Sequence, residues 1–145
     1  MAQHEPSTTQ LDTTVTLPRI KVCGVTRAGD IDFLCKFGFK AVGLNLVPSS
    51  KRFLDLDRAI DLAKRCKDLG LATVAVLMDP TVREFMDVSN AFAWDFIQLH
   101  GMEVPELTEG CPSNAIIKAV SWSGRSEELD LVLRWSQFFS GRSKT

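Results

Sequence analysis

The 145-residue chain has no tyrosine, only two histidines and little imbalance of charge, with 17 Lys and Arg against 18 Asp and Glu. A net charge of −1 leaves no electrostatic footprint for nucleic acid or for an anionic membrane surface. The sequence also lacks an apolar run of membrane-spanning length and a signal peptide. These absences predict a soluble, cytoplasmic globular domain without nucleic-acid or membrane partners.

The four cysteines lack the spacing of a metal site. Cys23, Cys35, Cys66 and Cys111 include no C-x-x-C pair, and no histidine lies near one of them at ligand spacing. We therefore expect no bound metal, and we interpret the cysteines as reduced thiols. Glycine-rich nucleotide fingerprints are also missing after every predicted strand.

What the sequence does have is a regular alternation of two patterns. After a polar segment at 1–17, which we expect to be disordered, short apolar runs alternate with stretches of helical periodicity. This order predicts a parallel α/β sheet, either a doubly wound open sheet or a TIM barrel, and periodicity does not choose between the two. The predicted strands are 19–25, 41–47, 72–78, 96–99 and 115–120.

Helical patterns follow each predicted strand, five in all. The first ends near Gly38, and the second repeats apolar residues along one face over 56–66. The third opens with Thr81 and Glu84, which have the spacing of a capping box. The fourth, around 104–110, is short and weakly patterned. The fifth opens at Ser126, and its buried face is predicted at Leu129, Val132 and Leu133.

Polar side chains gather at the carboxyl ends of the predicted strands, where parallel α/β folds hold their chemistry. Each has an ordinary structural explanation, since a lone cysteine often packs in a core and a Ser-Ser-Lys-Arg segment is often a solvated loop. Their joint placement on one rim favours a functional site. They are Cys23, Asn45, Asp79, Gln98, His100 and Lys118, with the loop segment 48–52.

Alternation along the first strand adds detail to this site. Lys21 and Cys23 share one face because successive side chains of a strand point to opposite sides. If that face points into a barrel, an ammonium group lies below a thiol and favours its thiolate form. A thiolate at a barrel mouth is a candidate base or nucleophile. Gln98 and His100 share a face of the fourth strand in the same way.

Three segments carry specific motifs. Residues 21–27 read KVCGVTR, residues 43–52 read GLNLVPSSKR, and residues 97–101 read IQLHG. They resemble, in order and spacing, the K-[IV]-C-G-[IL]-T-R, G-[FL]-x-F-x-x-x-S-x-R and V-Q-L-H-G motifs of the phosphoribosylanthranilate isomerase family. The third and fifth strands are also similar to that family, and the match extends from about residue 19 to about residue 139.

The resemblance implies a (β/α)₈ TIM barrel, of which residues 18–145 cover about the first five βα units. It also implies an Amadori rearrangement in L-tryptophan biosynthesis. In that reaction N-(5′-phosphoribosyl)anthranilate becomes 1-(2-carboxyphenylamino)-1-deoxyribulose 5-phosphate, without a cofactor or a metal. On the matching positions, Cys23 is the general base, and Arg52, Gln98 and His100 contact the substrate.

The family's remaining site residues have no counterpart in the chain. Its general acid is an aspartate at the end of a sixth strand, and its phosphate-binding loops follow strands seven and eight. We therefore expect little or no activity from these 145 residues alone. Five strands would also leave two open sheet edges and an apolar interior facing water, which predicts marginal stability or self-association. The alternative function is a non-catalytic half-barrel that oligomerises or binds a partner.

Overall fold

A computed structural model describes residues 20–111 and 115–142 of the chain. Strands and helices alternate throughout, and the tail predicted at 1–17 lies outside the described residues. The strands are β1 (Lys21–Cys23), β2 (Ala41–Asn45), β3 (Ala72–Leu77), β4 (Phe96–Leu99) and β5 (Ala115–Lys118). The helices are α1 (Ala28–Lys36), α2 (Leu56–Asp68), α3 (Val82–Ala91) and α4 (Ser126–Arg142), with a 3₁₀ turn at Pro105–Thr108.

The five strands form one parallel sheet in the order β1-β2-β3-β4-β5. Every strand therefore pairs with the strand of the next unit along the chain. A doubly wound sheet reverses its strand order at a switch point, whereas the wall of a βα barrel does not. The strand order thus decides the alternative that periodicity left open, in favour of the barrel.

Local signals at the helix ends are confirmed. Thr81 Oγ1 accepts a hydrogen bond from Glu84 N at 3.2 Å, and the Glu84 carboxylate accepts one from Thr81 N at 2.7 Å. Both arms of the predicted capping box are therefore present at the start of α3. Gly38 follows α1 with a φ of +79°, a left-handed conformation that glycine adopts without a steric penalty.

The short fourth helix predicted around 104–110 is confirmed, whereas the buried face predicted for the fifth helix was wrong. The fourth is a single 3₁₀ turn at Pro105–Thr108, in which Thr108 Oγ1 also donates to the Pro105 carbonyl at 2.8 Å. In α4 the predicted face is turned toward solvent, since Leu129 and Leu133 are 47% and 50% exposed and Val132 is 39% exposed. Leu131 and Trp135 are buried instead, because Trp135 Nε1 donates to the Glu103 carbonyl at 2.8 Å and fixes the rotation of the helix.

The main hydrophobic core lies between the sheet and the helices. Leu44, Ala75 and Ile97 of the sheet pack in it with Leu62 and Phe85 of the helices. A second, smaller cluster of Val74, Val76 and Phe96 lies on the opposite face of the sheet.

That second cluster corrects in part the expectation of an apolar interior facing water, since Ala72, Ala115 and Ile117 beside it remain partly exposed. Its three members are only 1–3% exposed. The parallel register sets Val74 beside Phe96 and Phe96 beside Ala115, so neighbouring side chains cover one another. Exposed apolar side chains lie on α1 and α4, at the two ends of the sheet, and also in loops, at Phe53, Met78, Met102, Val104 and Trp122.

The amino ends of the strands carry a structural network. The Asp95 carboxylate accepts hydrogen bonds from Thr73 N at 2.7 Å, Thr73 Oγ1 at 2.9 Å and Lys67 Nζ at 2.8 Å. Burial opposes ionisation of Asp95, but these three donors outweigh it and lower its pKa. Within the described part of the chain, no helix is long and apolar enough to span a membrane. Nor does that part bring three or more metal-ligating side chains together.

Candidate active site

Strand register places the candidate site on the face of the sheet away from the helices. Cys23 pairs with Gly43, and the same row continues through Val74, Phe96 and Ala115. The next row toward the carboxyl ends holds Asn45, Val76, Gln98 and Ile117. Cys23, Asn45 and Gln98 therefore share one face, as strand alternation predicted for the side chains that point into a barrel.

Lys21 and Cys23 converge over Gly43. A methyl group on Gly43 would lie 2.8 Å from Cys23 Sγ and 3.1 Å from Lys21 Nζ. The thiol and the ammonium are therefore within about 6 Å of each other. Because a side chain at position 43 would occupy the space into which both groups point, glycine is needed there for the two to approach. This confirms that Lys21 and Cys23 share a face and lie close together.

Arg52 reaches the same rim from the loop between β2 and α2. Gly24, directly after Cys23, has a φ of +80°, and its α-carbon lies under the Arg52 side chain. A methyl group on Gly24 would overlap Arg52 Cδ and lie 3.1 Å from one terminal guanidinium nitrogen. The guanidinium therefore covers the backbone beside the Cys23 thiol. Neither Lys21 nor Arg52 forms an ion pair with a described residue.

Gln98 and His100 are in contact at the end of β4. Gln98 Nε2 lies 3.3 Å from His100 Nδ1. His100 is exposed, whereas Gln98 is buried with 7% of its surface accessible. The buried amide thus orients an exposed ring at the rim.

Lys118 is at the rim but does not face the site. Its neighbour Ile117 shares the row of Asn45 and Gln98, so Lys118 points to the helix side of the sheet. There Lys118 Nζ donates to Glu103 Oε2 at 2.7 Å, and the two side chains are 3% and 2% exposed. The Glu103 carboxylate also accepts from Asp79 N at 2.8 Å and Gly101 N at 3.0 Å. The buried pair therefore ties the ends of β3, β4 and β5 together.

Glu103 was missed by sequence reasoning because an acidic residue in a loop after a strand looks like a solvated charge. Burial raises the cost of its ionised form, but the Lys118 ammonium and the backbone N–H donors outweigh this and lower the Glu103 pKa. The predicted rim residue Asp79 belongs to the same arrangement. It has a φ of +46°, and Asp79 Oδ1 accepts from Met102 N at 2.7 Å.

The loop between β5 and α4 is organised by a second buried carboxylate. Glu128 accepts from the Ser123 backbone and hydroxyl at 2.7 Å each, and from Gly124 N at 3.0 Å. Arg125 donates to it through both its backbone and its guanidinium. These donors lower the pKa of Glu128 to about 2, chiefly through the Ser123 hydrogen bonds and against the effect of burial.

A cavity of about 440 Å³ opens between the β2–α2 loop and α3, lined in part by Leu46, Phe53, Leu77 and Val88. Cys23 does not line it, so the cavity is separate from the cluster at β1 and β2.

The structure thus brings Cys23, Lys21 and Arg52 together and places Gln98 and His100 on the same rim, at β4, three strands from β1. A thiol beside two cations is a candidate base for the removal of a proton from carbon in a substrate that carries negative charge. The part of the chain described shows no carboxyl group in contact with Cys23 that could act as a paired acid.

Sequence comparisons identify related proteins. A family model described as N-(5′-phosphoribosyl)anthranilate (PRA) isomerase matches residues 20–136. The N-(5′-phosphoribosyl)anthranilate isomerase of Myxococcus xanthus is 37% identical over 106 residues, which are 73% of this chain and 49% of that protein. The enzyme of the same name from Sulfurihydrogenibium sp. is 28% identical over 108 residues, 74% of this chain and 51% of that protein. The chain therefore spans about half the length of the curated relatives it matches.

Solved structures are similar over a comparable region. Phosphoribosyl anthranilate isomerase from Thermotoga maritima superposes with a TM-score of 0.71 and 27% identity, covering 83% of this chain and 58% of that one. A crystal structure of phosphoribosyl anthranilate isomerase in complex with reduced 1-(o-carboxyphenylamino)-1-deoxyribulose 5-phosphate gives the same TM-score and identity, with 62% of that chain covered.

Proposed function

The chain belongs to the N-(5′-phosphoribosyl)anthranilate isomerase family and folds as part of a (β/α)₈ barrel, and from that premise we propose that it carries the proton-abstracting half of that family's active site. Cys23 is the general base, and Arg52, Gln98 and His100 bind the substrate. The observation that supports this most directly is the convergence of Lys21 Nζ and Cys23 Sγ over Gly43, with Arg52 across Gly24.

The proposed reaction is the Amadori rearrangement of N-(5′-phosphoribosyl)anthranilate in L-tryptophan biosynthesis. An acid protonates the ribose ring oxygen, and the ring opens to a Schiff base. The Cys23 thiolate then removes the proton from C2′, and the resulting enolamine tautomerises to the ketose. The family's biosynthetic role and the four free thiols support a cytoplasmic setting.

These 145 residues should turn over little substrate on their own. No position matches the acid of a sixth strand or the phosphate-binding loops of the seventh and eighth. Acid–base groups contribute about 10² to 10⁴ in rate each, so a thiolate without its acid partner and without a phosphate site retains only a small fraction of the rate.

Complementation of a tryptophan auxotroph that lacks the isomerase tests both statements. We expect no growth with the 145-residue chain, and growth with a chimaera in which strands six to eight of the Myxococcus xanthus relative follow it. The Cys23→Ala chimaera should fail, whereas the matched Cys111→Ala chimaera should grow. Growth with the chain alone would contradict the proposed inactivity, and growth with Cys23→Ala would contradict the assignment of the base.

A second candidate function, a non-catalytic half-barrel that self-associates, is favoured by the ends of the sheet. Among the described residues, β1 pairs only with β2 and β5 only with β4. Phe33 on α1 and Phe37, the C-cap residue directly after it, are 58% and 62% exposed, with ring centroids 4.4 Å apart. At the other end, Leu129 and Leu133 form an exposed apolar stripe on α4. Apolar surface beside an unpaired edge favours association with another chain.

Light scattering coupled to size exclusion measures this association. We expect the chain to elute as an oligomer at micromolar concentration, and the Leu129→Lys/Leu133→Lys variant to shift toward monomer. Arg134→Lys, a substitution on the same helix that keeps its charge, is the control and should leave the distribution unchanged. A wild-type chain that stays monomeric and unfolds in one sharp transition would rule this candidate out.

A further inference from the structure

Asn45 lies in the row next to Cys23 and closes the loop that carries Arg52. Its backbone carbonyl accepts a hydrogen bond from Leu54 N at 2.8 Å. Its side chain makes two further bonds: Asn45 Oδ1 accepts from Val47 N at 2.8 Å, and Asn45 Nδ2 donates to Ser50 Oγ at 3.1 Å. One residue therefore holds the start, the middle and the end of the β2–α2 loop.

Ser50 passes this restraint on to Arg52. Ser50 Oγ accepts both from Asn45 Nδ2 and from Arg52 N, each at 3.1 Å. The backbone of Arg52 is thus tied to the Asn45 amide through one hydroxyl oxygen. Ser50 N also donates to the Val47 carbonyl at 2.9 Å, which keeps the loop compact on the side of β2.

The Arg52 side chain itself has no carboxylate among the described residues to hold it. Its position over Gly24 depends on where its backbone is anchored and on the absence of a side chain at position 24. An exposed arginine without a partner samples many rotamers. The backbone anchor is therefore what limits the guanidinium to the neighbourhood of Cys23.

We propose that Asn45 is a positioning residue that acts through Ser50 to keep the Arg52 guanidinium beside the Cys23 thiol. This inference rests on the proposed function for its meaning, because it takes Arg52 as the cation that meets an anionic substrate. The geometry it asserts can nevertheless be tested without the substrate and without turnover.

The test compares alkylation of Cys23 by iodoacetate, which is an anion, and by iodoacetamide, which is neutral. Both reagents react with the thiolate form of Cys23. The rate constant for iodoacetate divided by that for iodoacetamide is therefore independent of the thiolate fraction, and it reports the local positive charge. Peptide mapping by mass spectrometry resolves Cys23 from the other cysteines. At low ionic strength, we expect Asn45→Leu and Arg52→Met each to lower this ratio about two- to fivefold, the effect of one unit charge a few ångströms away in water.

Two controls separate positioning from a general loss of charge or structure. Lys51→Met removes a neighbouring cation from the same loop and should lower the ratio less than Arg52→Met. Cys66 is fully buried, and burial together with the charge of Asp95 raises its pKa to about 11. Its alkylation therefore marks unfolding. If Asn45→Leu exposes Cys66, Ser50→Ala, which deletes only the bridging hydroxyl, gives the decisive ratio and should show the same decrease.

The double variant Asn45→Leu/Arg52→Met completes the design. If Asn45 acts through Arg52, the double variant has the same ratio as Arg52→Met alone. Additive decreases, or an unchanged ratio in a folded Asn45→Leu or Ser50→Ala chain, would overturn the inference. A wild-type ratio equal to that of an unstructured cysteine peptide would overturn it as well. Failure of the complementation experiment leaves these ratios untouched, so the inference and the proposed function can fail separately.

Discussion

The charged side chains of the rim are paired in one half and unpaired in the other. At β4 and β5, Glu103 and Lys118 form a buried pair in which each charge is neutralised by the other and by backbone groups. At β1 and β2, Lys21 and Arg52 surround an exposed thiol and have no carboxylate among the described residues. The first arrangement stabilises a loop, whereas the second leaves cations available to a ligand.

This difference separates structural charges from candidate functional ones without reference to conservation. In a buried ion pair whose hydrogen-bond donors and acceptors are all satisfied, no donor or acceptor remains free to bind a substrate. An unneutralised cation beside a nucleophile forms no ion pair that would stabilise the fold, and such a group in a cleft is a candidate for ligand binding. The same rule assigns Lys118 to the structure and Lys21 to the site, although both are lysines in apolar strands.

The largest effect that tests this comparison is expected from Lys118→Met. Removing the ammonium leaves the Glu103 carboxylate buried without its counter-charge, and we expect the free energy of unfolding to fall by about 3–5 kcal/mol. Urea denaturation measures the loss. The double variant Lys118→Met/Glu103→Gln should recover most of it, because the neutral amide keeps an acceptor for the Asp79 and Gly101 N–H groups. If the free energy of unfolding of Lys118→Met lies within about 1 kcal/mol of the wild-type value, the proposed difference between the two halves of the rim is contradicted.

A smaller effect should appear in the dependence of stability on pH. Glu128 holds its charge in the folded chain down to about pH 2, whereas its ordinary pKa is 4.5. The stability it contributes is therefore fully present above about pH 4.5 and is lost as the pH falls toward 2. We expect Glu128→Gln to be less stable than wild type at pH 6 and the two to converge at pH 2. A constant difference across this range, measured by thermal unfolding, would contradict the role given to Glu128.

The smallest effect on stability is expected on the other half of the rim. Lys21→Met removes a cation that has no partner in the described structure, so the free energy of unfolding should change by about 0.5 kcal/mol or less. Alkylation of Cys23 by iodoacetate should nevertheless slow, because the ammonium within about 6 Å no longer attracts the anionic reagent. A loss of stability comparable to that of Lys118→Met would show that both halves of the rim serve the fold.

Much of this structure was predictable because its signals are local. Thr81 and Glu84 are three residues apart, and their capping box formed as expected. Alternation alone placed Lys21 with Cys23 and Gln98 with His100. Each of these inferences depends on residues within one element, where the backbone fixes the geometry.

The errors arose where distant residues decide the outcome. In α4, Leu129 and Leu133 have the same spacing as Leu131 and Trp135, so the sequence presents two apolar faces. The choice between them is made by the carbonyl of Glu103, which lies 32 positions before Trp135. Glu103 itself looks like a surface charge until β5 brings Lys118 against it. The role of Asn45 was hidden for the same reason, because its partners belong to a loop whose shape the sequence pattern does not define.

The order of the strands has a consequence for how the chain folds during synthesis. Each strand pairs with the strand that the ribosome makes next, so every added βα unit meets an edge that already exists. Loop closure over one helix costs less entropy than closure across the whole sheet, by about 0.6 kcal/mol for each halving of the loop length. Folding can therefore proceed vectorially from β1 toward β5, and until each new unit docks, the last strand in place keeps an unpaired edge that can associate with another chain.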